Sequence, residues 1–276
     1  MLASIARPAR LANALQVDVL GVVGLLGLLF AWWLVTYLGL IPPLFLPPPG
    51  EVGATIATNF FKSPYLSNYH LGNGGLGASL LYTIQNVLLA LVIACVLGLG
   101  LGLSSARVAA LRAVFDPIVL TLGTIPVLVT APFFLIWFGT ERAPQVALLV
   151  LYDTTIIYMF AQRAVGNLDP IYLAAARTLG ASPRRMLVQV FLIGTLPEVF
   201  GGMRIALAGA WGLEAVAELL GAPAGIGRVI QALASATDVP TIMAAILALA
   251  IVAVAFDAAV AVLFGVITRW RMPNRI

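Results

Sequence analysis

Four carboxylates and one arginine stand where long apolar runs would be expected to exclude them: Asp153, Glu214, Glu218, Asp257 and Arg204. An ionised side chain in such a setting costs roughly 3 kcal/mol or more, so each must be paired, line a wet route or bond to a neighbouring helix. Asp153 sits mid-run beside Thr154 and Thr155. Glu214 and Glu218 are four residues apart, which puts both on one face of a helix. For Asp153 and Glu214 the readings are a lining of a solute route, a polar pair with Arg204, or a structural hydrogen bond. Glu218, at the outer end of its run, reads as a gate or a structural contact, and Asp257 as a pair near a helix end. Other chemistry has little to draw on. His70 is the only histidine and has no cysteine or histidine companion for a metal. Cys95 is the only cysteine, which excludes an intrachain disulfide. No Gly-x-x-x-x-Gly-Lys-Ser/Thr loop is present to hold a nucleotide.

The elements that must position these groups are membrane spans. Of 276 residues, 62% are hydrophobic and only 9% charged, far below the roughly 25% of a soluble domain. Lys62 is the only lysine, so the net charge of +4 reflects arginines that anchor membrane loops rather than a nucleic-acid surface. A span needs about 20 apolar residues. The sequence predicts six, over residues 17–40, 80–103, 115–138, 144–160, 188–217 and 241–267. Gly98 and Gly102, with Gly100 between them, invite close helix approach in the second. Pro126 and Pro132 in the third and Pro197 in the fifth release carbonyls that need protein or a wet cavity. Residues 1–45 are read as an N-terminal segment with a retained first span. Residues 46–79 are read as a Pro/Gly-rich outer segment with a short interfacial helix near Val52–Phe61, and 80–276 as a core of five spans. Residues 221–240 are read as a second loop on the same outer side.

One polar stretch, residues 169–187, interrupts the spans. Asp169 before Pro170, and Ser182 before Pro183, repeat an N-cap and first-turn signal, and Gly180 ends the first helix. Two short helices forming a surface knuckle follow from this. Six spans put both termini on one side. Arg7, Arg10, Arg107, Arg112, Arg163, Arg177, Arg184, Arg185, Arg269, Arg271 and Arg275 then share the knuckle's side, against Lys62, Arg142 and Arg228 on the other. Positive loops stay cytoplasmic, so the knuckle and both termini are expected on the cytoplasmic side of the membrane.

The knuckle resembles the cytoplasmic EAA loop of bacterial ABC importer permeases, a pattern of Glu-Ala-Ala, three residues and Gly. Ala174-Ala175-Ala176-Arg177-Thr178-Leu179-Gly180-Ala181-Ser182-Pro183 fits its core, with Ala174 in place of the usual glutamate. Leu196-Pro197 keeps the later Leu-Pro, while Ile193 stands where a first proline often lies. Leu46-Pro47-Pro48-Pro49, Thr124-Ile125-Pro126, Ala131-Pro132-Phe133, Trp137-Phe138-Gly139, Gly202–Leu207 with Trp211, and Ala217–Gly221 with Gly225-Ile226-Gly227 resemble the nitrate, sulfonate and taurine branch. The resemblance implies an all-α bundle of the type I importer kind, acting as a permease subunit rather than an enzyme. It implies that Ala174, Ala175, Ala176, Arg177, Thr178, Gly180, Ala181 and Ser182 couple the bundle to an ATPase. The partners it implies are two ATP-binding subunits carrying ATP and Mg, a second permease copy and an extracytoplasmic solute-binding protein. No cofactor is expected on this chain. Thr124, Pro126, Asp153, Trp211, Glu214 and Glu218 are candidates for the translocation path. The alternative is a proton-coupled secondary transporter using the intramembrane carboxylates, which would need neither ATP nor a partner. Inverted repeats are usual in such transporters.

Overall fold

The chain folds as an all-helical bundle, seen in a computed structural model that describes residues 6–71 and 74–268, with side chains from residue 19 onward. No strand occurs among the described residues. The helices are α1 (Ala6–Tyr37), α2 (Pro49–Asn59), α3 (Pro64–Ser67), α4 (Gly75–Arg107), α5 (Ala109–Thr124) and α6 (Ala131–Phe138). They continue with α7 (Ala143–Gly166), α8 (Pro170–Thr178), α9 (Pro183–Arg185), α10 (Ile193–Leu219), α11 (Ile226–Ser235) and α12 (Val239–Ile267). Among the described residues, five helical segments are long and apolar enough to cross a membrane, and six if a bent pair counts as one.

That bent pair corrects the third predicted span. Residues 115–138 are not one helix: α5 ends at Thr124, and a 3-10 turn at Val127–Thr130 leads into α6 at 90° to it. Pro126 explains the break, because it lacks an N–H and pushes the preceding residue out of the helical region. Ile125 accordingly sits extended, at φ −73° and ψ 126°. Pro132 lies in the first turn of α6, where a missing N–H costs nothing. The fifth span is also redrawn. Pro197 does not interrupt α10, and the irregularity lies earlier, as a π-helical stretch at Met186–Leu192 that joins α9 to α10. The 221–240 segment is not only loop, since α11 occupies its centre with Ile226, Val229 and Leu233 buried on one face.

Three helices form the bundle's centre. Val87, Ala90, Leu91 and Ala94 of α4 pack with Val146, Leu149 and Ile157 of α7 and with Ala206, Leu207, Ala210 and Trp211 of α10. Two α4 glycines bring α7 close: a Cβ on Gly98 would meet the Ile157 side chain at 2.8 Å, and one on Gly102 would meet Ala161 at 2.7 Å and the Tyr158 carbonyl at 2.9 Å. Gly100 faces open space. The two pairings run in the same chain direction, so α4 and α7 lie parallel, and α10 packs antiparallel beside them, with Thr83 meeting Glu218 and Asn86 meeting Glu214. α1 stands at the edge, with Leu20, Leu25, Leu28 and Phe30 exposed along it. Trp32 Nε1 donates to the Pro47 carbonyl at 3.0 Å, tying α1 to the following loop.

The end opposite the knuckle is closed by short helices. Val52 of α2, Leu66 of α3, Leu76 and Leu80 of α4, Ile226 and Leu233 of α11 and Ala244 of α12 bury one another there. A single carboxylate aligns them. Glu218 Oε1 accepts from Thr83 Oγ1 at 2.7 Å, and Glu218 Oε2 accepts from the Gly227 amide at 2.8 Å. The Ile226 amide donates to Thr83 Oγ1 at 3.0 Å. Glu218 thus caps α11 from α10, satisfying amides that have no intrahelical acceptor and meeting the positive end of the helix dipole. Both flanking glycines follow from the contact: Gly225 adopts φ +110° with the Glu218 carboxylate where its Cβ would be, and a Cβ on Gly227 would strike the Ala215 carbonyl.

Two outcomes are expected. Gly102→Leu should destabilise the folded chain by about 1–3 kcal/mol or more, because Tyr158 backbone cannot yield. Gly100→Leu should leave the thermal midpoint in detergent within error, and equal midpoints for the two would contradict the α4–α7 assignment. Glu218→Ala removes the acceptor of two buried donors, the Thr83 hydroxyl and the Gly227 amide, at about 1–3 kcal/mol each. It should expose the 221–240 segment to limited proteolysis, which Glu218→Gln would do less.

Candidate coupling knuckle and intramembrane polar layer

The knuckle is built from local signals. The Asp169 carboxylate accepts from the Ile171 amide at 2.9 Å and opens α8. Its C-terminus closes with paired bonds, Gly180 N to Arg177 O at 2.9 Å and Ala181 N to Ala176 O at 3.0 Å. That pattern requires a left-handed residue, supplied by Gly180 at φ +71°. Ser182 Oγ then accepts from the Arg185 amide at 3.3 Å and opens α9. Arg177 lies in the last turn of α8, where it complements the dipole.

No residue of α8 or α9 is buried. Ala174, Ala175, Arg177, Thr178, Gly180 and Ser182 are exposed, whereas Ala176 and Ala181 are partly covered. Ile171, Tyr172 and Leu179 are 65%, 61% and 87% exposed. Such a run of exposed apolar side chains on a polar knuckle is the kind of patch that marks an interaction surface. Its root is firm by contrast. Asn167 Nδ2 donates to Glu198 at 2.9 and 3.0 Å, and Leu168 fills the space beside Gly194. Met186 and Phe191 of the π-helical stretch are buried, and the Arg107 guanidinium lies 4.9 Å above the Phe191 ring. α4, α7 and α10 therefore all hold the base of the knuckle.

The six path candidates separate into two groups. Thr124 and Pro126 are exposed, at the bend between α5 and α6. Asp153, Trp211, Glu214 and Glu218 are buried within this chain and line no surface of it. The two carboxylates of α10 point into the bundle, because residues 207, 210, 211, 214, 217 and 218 share its core-facing side. Glu214 Oε1 accepts from Asn86 Nδ2 at 2.7 Å. Asp153 makes no hydrogen bond among the described residues. Neither pairs with Arg204. That arginine reaches Asp257 of α12 instead, Nε to Oδ1 at 2.8 Å and Nη2 to Oδ2 at 2.6 Å. Trp211 packs on Phe256 of α12, with ring centroids 5.4 Å apart. His70 is exposed in the turn after α3.

Several partners escaped the sequence reading. Thr83 and Asn86 complete the Glu218 and Glu214 contacts, and their signal was polarity inside an apolar run. Asp116 of α5 accepts from Tyr158 Oη and from Gln162 Nε2 of α7, joining those helices near the knuckle end. Asp238 caps α12 at Thr241 and accepts from Tyr65 Oη of α3 at 2.7 Å. Arg107, Arg112, Arg163, Arg177, Arg184 and Arg185 cluster at the knuckle end, with Lys62, Arg142 and Arg228 at the other. Arg269, Arg271 and Arg275, and the side chains of Arg7 and Arg10, lie outside the described residues.

Comparison with known proteins adds to this geometry. Residues 94–272 match the family described as "Binding-protein-dependent transport system inner membrane component". The chain is 30% identical to the taurine transport system permease protein TauC of Escherichia coli K12, over 88% of this chain and 86% of that one. It is 27% identical to the putative aliphatic sulfonates transport permease protein SsuC of Bacillus subtilis, over 87% and 83%. Its fold matches a chain of the inward-facing MetNI methionine ABC transporter with a TM-score of 0.63, over 70% of this chain and 95% of that one, at 18% identity. An all-α multi-pass bundle, a capped knuckle between its fourth and fifth spans and a matched family region that contains that knuckle lead to one conclusion: the chain belongs to the family of binding-protein-dependent transport system inner membrane components, the permeases of ABC importers.

Proposed function

We propose that this permease carries a small oxyanion-bearing solute, of the sulfonate or nitrate class, into the cell under the drive of a separate ATPase. The single observation that carries the coupling half of this reading is the knuckle: a rooted base on three core helices with an exposed apolar tip. A helix held this way transmits a rigid-body displacement from whatever grips it. Ala174 is exposed and offers no carboxylate, so docking rests on Ile171, Tyr172 and Leu179 together with the arginines.

The remaining parts follow from the same reading. Two ATP-binding subunits, holding ATP and Mg, dock on the knuckles of two permease copies, since one chain carries one knuckle and twofold pairing is the commonest symmetry. A solute-binding protein delivers cargo to the end built from α2, α3 and α11. Both termini and the knuckle face the cytoplasm, in line with the arginine-rich end. The cargo class draws support from the taurine and sulfonate permeases that the chain resembles. Burial of Glu214 against Asn86 supports it as well, because that charge is then not offered to a passing anion.

Ala175→Glu and Gly180→Glu should leave the chain inserted but lower ATP-dependent uptake by about tenfold or more, as expected when roughly 1.4 kcal/mol of docking is lost. The measurement is uptake of labelled taurine into proteoliposomes holding permease, ATPase and binding protein, with co-purification of the ATPase read in parallel. Full-rate uptake by both variants would sink the coupling assignment.

A further inference from the structure

The Arg204–Asp257 pair is out of place for a structural ion pair. Arg204 lies about 16 Å along the axis from Ile193, and Asp257 about 15 Å from Ile267, so both fall well inside a ~30 Å apolar core. Yet the two side chains are 44% and 42% exposed, while Asp153, Glu214 and Glu218 are completely enclosed. A charge pair bared at that depth cannot be turned to lipid without a cost of several kcal/mol, and intramembrane charges face the bundle interior or a wet cavity. Small residues on the same exposed side leave room for the second. Gly201, Ala208 and Gly212, on the exposed side of α10 with Arg204, carry no bulk, and a Cβ on either glycine would meet nothing within 4 Å. Aromatic pairs between α10 and α12 bracket the site, Phe200 on Phe264 at 4.6 Å and Trp211 on Phe256 at 5.4 Å, and hold the two backbones in register.

The hydrogen bonds leave a specific edge open. Asp257 takes the side-on edge of the guanidinium through Nε and Nη2. The end-on edge, Nη1 with the second N–H of Nη2, has no partner among the described residues, and its fork matches two oxygens of a sulfonate, nitrate or carboxylate. We infer that Arg204 is a mid-membrane contact for an oxyanion on the solute route, taken on its end-on edge while Asp257 holds its side-on edge. Asp257 has two effects there. It fixes the guanidinium plane, and it offsets the positive charge so that the anion binds weakly enough to leave, as passage through a pore requires. This inference rests on the importer reading above.

The test uses the assembled transporter in proteoliposomes, with taurine and nitrate as probes, and compares Arg204→Gln, Asp257→Asn and the charge-exchanged R204D/D257R. Arg204→Gln should lower uptake by about tenfold or more, the loss expected for a charge-assisted contact. Asp257→Asn should retain more uptake than Arg204→Gln and release probe more slowly. R204D/D257R, although it restores the ion pair, should not recover uptake. Equal defects in the two single variants, or recovery by the exchanged pair, would overturn the site and leave a packing contact. If the exchanged chain does not co-purify with the ATPase, the comparison of single variants decides. Wild-type uptake of neither probe would overturn the cargo reading and this site together, whereas normal wild-type uptake with unaffected variants would remove this site alone.

Discussion

A carboxylate in a bilayer-spanning helix must be met by donors from its own protein, and the architecture here depends on how Glu218 meets that demand. Its two oxygens reach a hydroxyl on α4 and an amide at the start of α11, so three elements converge on one side chain. The cost of burying the carboxyl group is offset by hydrogen bonds and by a helix terminus aimed at it. The glycines at 225 and 227 are consequences of that contact, because side chains there would collide with Glu218 or with α10 backbone. The outer helices, which have no long apolar run of their own, take their position from this point and from the small apolar cluster around it.

The same demand divides the polar groups of the bundle into two kinds. Glu214 and Glu218 are enclosed and bonded across α4 and α10, and Asp116 joins α5 to α7. These contacts hold helices together in a solvent that gives them little hydrophobic reason to associate. Arg204 and Asp257 differ in being paired and yet bared. At the knuckle the contrast is between root and tip: buried Met186 and Phe191, an Asn–Glu bond and a cation over a ring at the base, exposed Ile, Tyr and Leu at the end. A bundle stiffened at the centre and left open at two defined surfaces is suited to moving as a body when an external subunit pulls on one of them.

The sequence by itself determined what depends on near neighbours along the chain. Asp169, Ser182 and Gly180 act within three or four residues, so their caps and the two-helix knuckle were readable, as was the family that the knuckle resembles. Gly98 and Gly102 were readable as a close-packing pair because their spacing is helical, and the division of arginines between loops needed only a count of spans. What only the tertiary structure decided was direction. A helix apolar on every side gives no clue to which face is inward, so Glu214 and Asp153 could be read as lining a route when they lie inside the bundle. A pairing with Arg204 was one open reading for them, and that arginine reaches α12 instead. The bend at Pro126 and the helix at Ile226–Ser235 likewise depended on what each segment packs against, since a proline can kink or end a helix and a short amphipathic run needs a neighbour to bury its face. Pairings across 50 to 140 residues follow from where whole helices sit, and no local signal in the chain encodes that.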